Sequence, residues 1–163
     1  MPTLRVPVFA WRDFSNQWTA TPVDLELLPE EFRYAAASTL SESLKAVAET
    51  IRLFVNKERK ENGSLTEIEP AKPEVQRLKF KVRPRYERQG RAYPARDPVE
   101  FQLPATIGAT ECGAVHCTVP TIGLVFRCFE GDDFQAIASE KVRSLLDGLS
   151  PAELLKRLPP LEW

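Results

Sequence analysis

A single histidine, a single methionine and three cysteines stand among 163 residues, and all seven glycines fall after position 62. One histidine excludes multi-histidine metal centres and sharply limits histidine-based acid–base chemistry. Cys112, Cys117 and Cys128 are odd in number and crowded into one short stretch, which is no disulfide framework, so a reducing, cytoplasmic setting is expected. Neither sign of charge dominates: 22 Lys and Arg face 23 Asp and Glu, a formal net charge of -1. That balance removes any global electrostatic reason to seek nucleic acid or an anionic membrane. Long apolar runs are missing as well. The least charged stretch, residues 101–126, still holds Glu111, Gly108, Gly113, Gly123, Pro104 and Pro120, a pattern of strands and turns and not of a spanning helix. The opening residues lack the apolar core and small-residue cleavage site of a secretory signal, and no glycine-rich phosphate loop is present.

What is present suits a folded domain. With 43% hydrophobic and 28% charged residues, the chain is globular in composition and long enough to bury a core without covalent staples. Residues 4–11 favour a strand, residues 13–16 supply turn chemistry, and residues 18–23 form a second strand closing a hairpin. Residues 27–32 fit no single pattern, and residues 33–37 suit a short third strand. A helix follows. Thr39 and Glu42 have the spacing of a capping box, and Leu40, Leu44, Val47, Ala48, Ile51, Phe54 and Val55 make an apolar stripe. Its charged end closes at Asn62 and Gly63, and residues 67–73, with Pro70 and Pro73, form a connector. Residues 77–83 alternate strictly, Leu78, Phe80 and Val82 on one face and cations on the other, as in a strand with one buried face.

The second half runs in the same order. Residues 99–107, 114–119 and 124–129 read as strands separated by turns at residues 108–113 and 120–123. Asp132 is placed to cap a helix with Gln135 three positions on, its stripe being Phe134, Ile137, Ala138, Val142, Leu145 and Leu146, ended by Gly148. Ser150 and Pro151 open a short extra helix that Pro159 and Pro160 stop. The fold class expected is α+β: two repeated β-β-β-α(-β) units, each a small sheet with one packed helix, plus a short C-terminal helix. The first unit is set at residues 1–83, a linker at 84–97, and the second unit with its helical extension at 98–163. Residues 77–83 have no counterpart after the second helix, so the protein is expected to continue beyond Trp163.

Certain residues carry a family resemblance. Pro104, Ala105, Thr106, Ile107 and Gly108, then residues 113–123 with Val119 and Pro120, then Gly131 and Asp132 opening a helix, resemble the HicB-like antitoxin family. In the first half Trp18, Thr19 and Ala20 before Asp24, then Ser38, Thr39 and Glu42 at a helix start, are similar to the same scheme. The first half departs from it by an insertion at residues 27–32, and the family's separate DNA-binding tail is not evident. The resemblance implies a small β-β-β-α-β unit, a degraded RNase H-type fold, and a protein partner, in that family a small RNase toxin.

No constellation carries an enzyme. Cys112, His116, Cys117 and Cys128 are the only soft-ligand cluster, but adjacent strand residues point to opposite faces, so His116 and Cys117 cannot readily share a zinc ion. Cysteine–histidine catalysis meets the same obstacle and finds no activating helix N-terminus beside the thiols. Asp13, Asp24, Glu100 and Glu111 lie near strand ends and turns and do not form a two-metal set. No catalytic residue, metal ligand or cofactor is therefore assigned. The surface expected to bind a partner is the basic stretch 77–96, where Arg77, Lys79, Lys81, Arg83, Arg85, Arg88, Arg91 and Arg96 face Glu87 alone, with Phe80, Tyr86 and Tyr93 interleaved. Lys79, Lys81, Arg83, Arg85, Tyr86, Arg88, Arg91 and Tyr93 are its binding candidates. Acidic protein partners suit this strip, and a nucleic-acid backbone with tyrosines as stacking platforms is the alternative. Of the tryptophans Trp11, Trp18 and Trp163, Trp18 is the one expected in the core. The function expected is a non-enzymatic protein–protein interaction module, without membrane contact, at the N-terminus of a longer cytoplasmic protein with an effector such as an ATPase. A free-standing antitoxin-like protein neutralising a small RNase toxin is the other expectation.

Overall fold

In the computed structural model, residues 6–23, 34–62, 74–109, 113–129, 131–158 and 162 are described. Residues 27–32, Asp24, Gly63, the connector 67–73, Glu111, Cys112, Pro159, Pro160 and Trp163 lie outside them. The chain is mixed α+β and divides into two units, residues 1–73 with 161–163, and residues 74–160.

In the first unit, strand β1 (Val8–Arg12) pairs antiparallel with β2 (Trp18–Pro22), which pairs antiparallel with β3 (Ala35–Ala37). Asp13 shapes the first turn by accepting from the Ser15 amide at 2.9 Å, and Asn16 takes φ 63°, a left-handed position asparagine tolerates. Phe9 and Trp11 share a face of β1, and with Val23 they form a small core. Of the two described tryptophans Trp11, not Trp18, is the buried one: Trp18 sits opposite Arg12 on the other side of the pleat and is half-buried. Helix α1 (Leu40–Asn62) packs on β2 and β3. Thr39 caps it, accepting from the Glu42 amide at 3.3 Å, while the Glu42 carboxylate accepts from Ser38. The buried stripe differs from the expected one. Ser43, Val47 and Phe54 are buried, whereas Leu40 and Leu44 are more than a third exposed and Ala48 is exposed. A serine tolerates this position because its hydroxyl donates to the Leu40 carbonyl at 3.0 Å, so no polar group is left unpaired.

The second unit begins with β4 (Glu74–Val82). A hairpin of β5 (Arg85–Arg88) and β6 (Arg91–Pro94) follows, then β7 (Val99–Ala109), β8 (Ala114–Val119), a 3₁₀ turn at Pro120–Ile122, and β9 (Leu124–Phe129). The order β4-β7-β8-β9 makes one antiparallel sheet, with the hairpin as a separate two-stranded sheet. The strand after α1 therefore pairs with β7 over its whole length, Leu78 opposite Leu103 and Phe80 opposite Phe101. Strand 77–83 thus belongs to the second unit and not to the first, and the boundary falls at residues 73 and 74 instead of 83. Residues 84–97 are likewise largely a hairpin, not a linker.

Helix α2 (Phe134–Leu146) covers one face of this sheet. Its Ala138, Val142 and Leu146 meet Leu78, Phe80, Val82, Leu103, Ala105, Cys117, Val119 and Phe126 in the main core, while Leu145 is exposed. The helix is capped one residue later than expected. Asp133 accepts from the Ala136 amide at 3.1 Å, because the Asp132 carboxylate is taken by the Phe129 amide at 2.8 Å. Gln135 reaches across to the Lys79 carbonyl at 3.0 Å.

Helix α3 (Pro151–Leu155) carries a complete capping box. Glu153 N donates to Ser150 Oγ at 3.3 Å, and Ser150 N donates to Glu153 Oε2 at 2.8 Å. The Ser150 side chain, then its backbone amide, hold the Glu153 carboxyl below the ordinary carboxylate value, as Thr39 and then Ser38 do for Glu42. A depressed folded-state pKa contributes stability that is present above the unfolded value and is lost as pH falls through the folded value. Ser150→Ala is expected to cost about 1 kcal/mol. Glu153→Gln is expected to flatten the acid limb of the stability profile, both read from denaturant midpoints between neutral and acid pH.

Candidate partner-binding surfaces

The basic stretch 77–96 is not one surface. Within β4 the pleat sends Leu78, Phe80 and Val82 into the core and leaves Arg77, Lys79 and Lys81 exposed on the sheet face opposite α2. Lys81 pairs with Glu100, directly across on β7. On the same side of the sheet Pro104, Thr106 and Gly108 of β7 are buried and His116 of β8 is half-buried, so the exposed part of this face lies chiefly at its two edges, β4 and, through Val125, Arg127 and Phe129, β9. Strand β9 is the far edge of the sheet, and there Phe129 is 71% and Val125 47% exposed.

The hairpin of β5 and β6 is a second surface. Gln89 (φ 52°) and Gly90 (φ 71°) form a two-residue turn with both φ values positive, the pattern of a type I′ hairpin. Its register places Tyr86 opposite Tyr93 and Arg88 opposite Arg91. Because these pairs are two residues apart, all four side chains stand on one face, with Arg85, Glu87, Ala92 and Pro94 on the other. Every residue of both strands is exposed. The base, by contrast, is fastened. Pro84 is fully buried and Ala95 nearly so, joined by Ala95 N donating to the Pro84 carbonyl at 2.8 Å. Arg83 N donates to Asp147 Oδ1 at 2.9 Å, Gly148 N to the Arg83 carbonyl at 3.0 Å, and Arg85 N to the Leu149 carbonyl at 2.9 Å. Gly148 has φ +85°, a left-handed conformation that strains any residue with a side chain, and a Cβ there would lie 3.3 Å from Arg85 Nε, so the link between α2 and α3 passes close to the base of the hairpin. The result is an arm of ten residues, 85–94, rigid at the root and solvated along its length.

Of the expected candidates, Lys79 and Lys81 therefore lie exposed on the edge strand β4, Arg83 at the root of the arm, and Tyr86, Arg88, Arg91 and Tyr93 together on one side of the arm, with Arg85 on its reverse. Sequence reasoning did not include Val125 and Phe129. Alternation in 124–129 marked a strand but gave no indication that its outer side carries an exposed aromatic.

The cysteine cluster resolves as the pleat requires. Cys117 and Cys128 are buried free thiols on the core side, and His116 lies on the opposite face. Burial, then the neighbouring Cys128, pushes the Cys117 thiol up to about 12, and burial raises Cys128 as well, so neither is poised as a thiolate. Asp13 is engaged in its turn and Glu100 in its ion pair. Among the described residues no group of three His, Cys, Asp or Glu could hold a metal ion, and no helix is long and apolar enough to cross a membrane. No family model, no curated protein and no solved structure matches the chain.

Proposed function

We propose that this chain is a non-enzymatic recognition module of two HicB-like units, binding a protein partner for a longer cytoplasmic protein whose effector, such as an ATPase, lies downstream. The order of three antiparallel strands and a helix, once as β1-β2-β3-α1 and again as β7-β8-β9-α2, supports the reading as a repeat. The observation that carries the binding function is the exposed edge strand β9, where Phe129 and Val125 stand in solvent on the face opposite α2, while the opposite edge strand carries the exposed Lys79 and Lys81. Exposed aromatics are characteristic anchors of protein interfaces, and an edge strand offers unpaired backbone groups beside them. The partner that fits carries an apolar patch with an acidic margin.

The test places the photo-crosslinker p-benzoylphenylalanine at position 129 in cells, with position 155 as an exposed control on α3. A protein adduct that survives nuclease, is confined to position 129 and is mostly lost with Lys79→Glu is expected. A small RNase as the adduct selects the antitoxin-like form of the reading. Equal labelling from both positions, or adducts indifferent to Lys79→Glu, overturns it.

A further inference from the structure

The arm of β5 and β6 carries two pairs of like residues, and neither pair belongs to a hydrophobic core. Arg88 and Arg91 stand directly opposite each other at its tip, a like-charge pair that destabilises an antiparallel ribbon. Among the described residues no ion pair relieves either guanidinium. Tyr86 and Tyr93, 53% and 49% exposed, lie one row nearer the root and leave about half of each side chain in water. A two-stranded ribbon with neither face buried is marginally stable by itself, so its persistence rests on the fastened root and not on these side chains.

We infer that this face of the arm binds single-stranded nucleic acid, the tyrosine rings stacking on unpaired bases and the paired arginines holding the adjoining phosphates. Three features favour that ligand over a protein. Every residue of its two strands is exposed, and its ten residues fall well short of the roughly 20–30 a side that a stable protein interface engages. Stacking, by contrast, needs only an accessible ring face and is worth much for each base held. The rows of tyrosine and arginine are two residues apart, about 7 Å along the strands, so a base and a neighbouring phosphate can be met by successive rows. A duplex hides its base faces, so the tyrosines favour single strands. The chain's near-zero net charge adds no long-range attraction to the arm, so the binding is weak at physiological salt. The site is separate from the sheet face around Phe129, and the two activities stand or fall independently.

The experiment uses the full chain and fluorescence anisotropy of a short fluorescein-labelled oligouridine, the matching oligothymidine, and a duplex of equal length. Binding to both single strands in preference to the duplex is expected. Tyr86→Ala with Tyr93→Ala is expected to weaken it roughly thirty-fold or more, whereas Tyr86→Phe with Tyr93→Phe retains it, since the ring face is kept. Arg88→Gln with Arg91→Gln is expected to reduce the salt slope by about 1.4, the value for two phosphate contacts on a single strand. Circular dichroism should be unchanged in each variant, because every substituted side chain is exposed. Duplex binding equal to single-strand binding, an alanine pair that binds as the parent does, or no measurable binding at low salt each overturns the inference. So does a nuclease-resistant protein adduct formed specifically by a crosslinker at position 93.

Discussion

A fragment of residues 74–160 is expected to fold, and a fragment of residues 84–160 is not. The difference is strand β4, whose Leu78, Phe80 and Val82 are 3%, 2% and 1% exposed and pack against Leu103, Val142 and Leu146 in the main core. Fully burying a large apolar side chain is worth roughly 1.5–3 kcal/mol, so removing three forfeits about 5–9 kcal/mol. That is the scale of a whole domain's stability. The loss also opens β7, an eleven-residue strand paired with β4 along most of its length, as a long apolar edge that invites aggregation. Near-ultraviolet circular dichroism and urea unfolding decide the matter. A cooperative transition in the longer fragment alone is expected. Cooperative unfolding of the shorter one would show that β4 is dispensable and that residue 83 is the better boundary.

That boundary marks where the sequence stopped being informative. The alternation of Leu78, Phe80 and Val82 reveals a strand and its buried face, but it names no neighbour. The pairing of β4 with β7 spans the inserted arm, and a strand following a helix could equally have returned to the sheet before it. The arm was illegible for the opposite reason. Hydrophobic periodicity reports burial, and neither face of β5 or β6 is buried, so residues 85–94 resembled a polar linker. Its trace was Gln89 and Gly90 flanked symmetrically by Arg88 and Arg91, then by Tyr86 and Tyr93, a turn signal with β-favouring residues at matched distances. The helices were located by pattern, and their details were settled by tertiary contacts. Asp132 and Asp133 are equivalent as caps until the Phe129 amide claims the first. Leu44 outranks Ser43 on any hydropathy scale, yet Ser43 is the one on the buried face with Val47 and Phe54, a place its hydroxyl tolerates by donating to the Leu40 carbonyl. The candidate surfaces were half legible for the same reason: sequence supplies the cations and tyrosines, while only strand register shows that Tyr86, Tyr93, Arg88 and Arg91 share one face and that Lys79 and Lys81 do not belong to it.

Trp11→Ala is expected to remove about 3–5 kcal/mol, the cost of truncating a buried tryptophan. The ring is 7% exposed, tilted against Phe9 at 6.0 Å between centroids and meeting Tyr34 edge-on at 6.3 Å. Such aromatic pairs add to the burial itself, and among the described residues the core that Trp11 forms in the first unit holds only Phe9 and Val23 besides. A unit of this size has a total stability of several kcal/mol, so the variant should bring the first unit close to its unfolding midpoint at ambient temperature. Native-state hydrogen exchange localises the effect. Amide protection should fall across β1, β2, β3 and α1 and persist in β4, β7, β8 and β9, whose core contains none of these residues. Trp11→Phe, which keeps a ring beside Phe9 and Tyr34, should lose substantially less. Equal loss of protection in all four strands of the second sheet would show that the two units unfold as one, and unchanged protection in β1 would show that Trp11 is not the anchor of the first core.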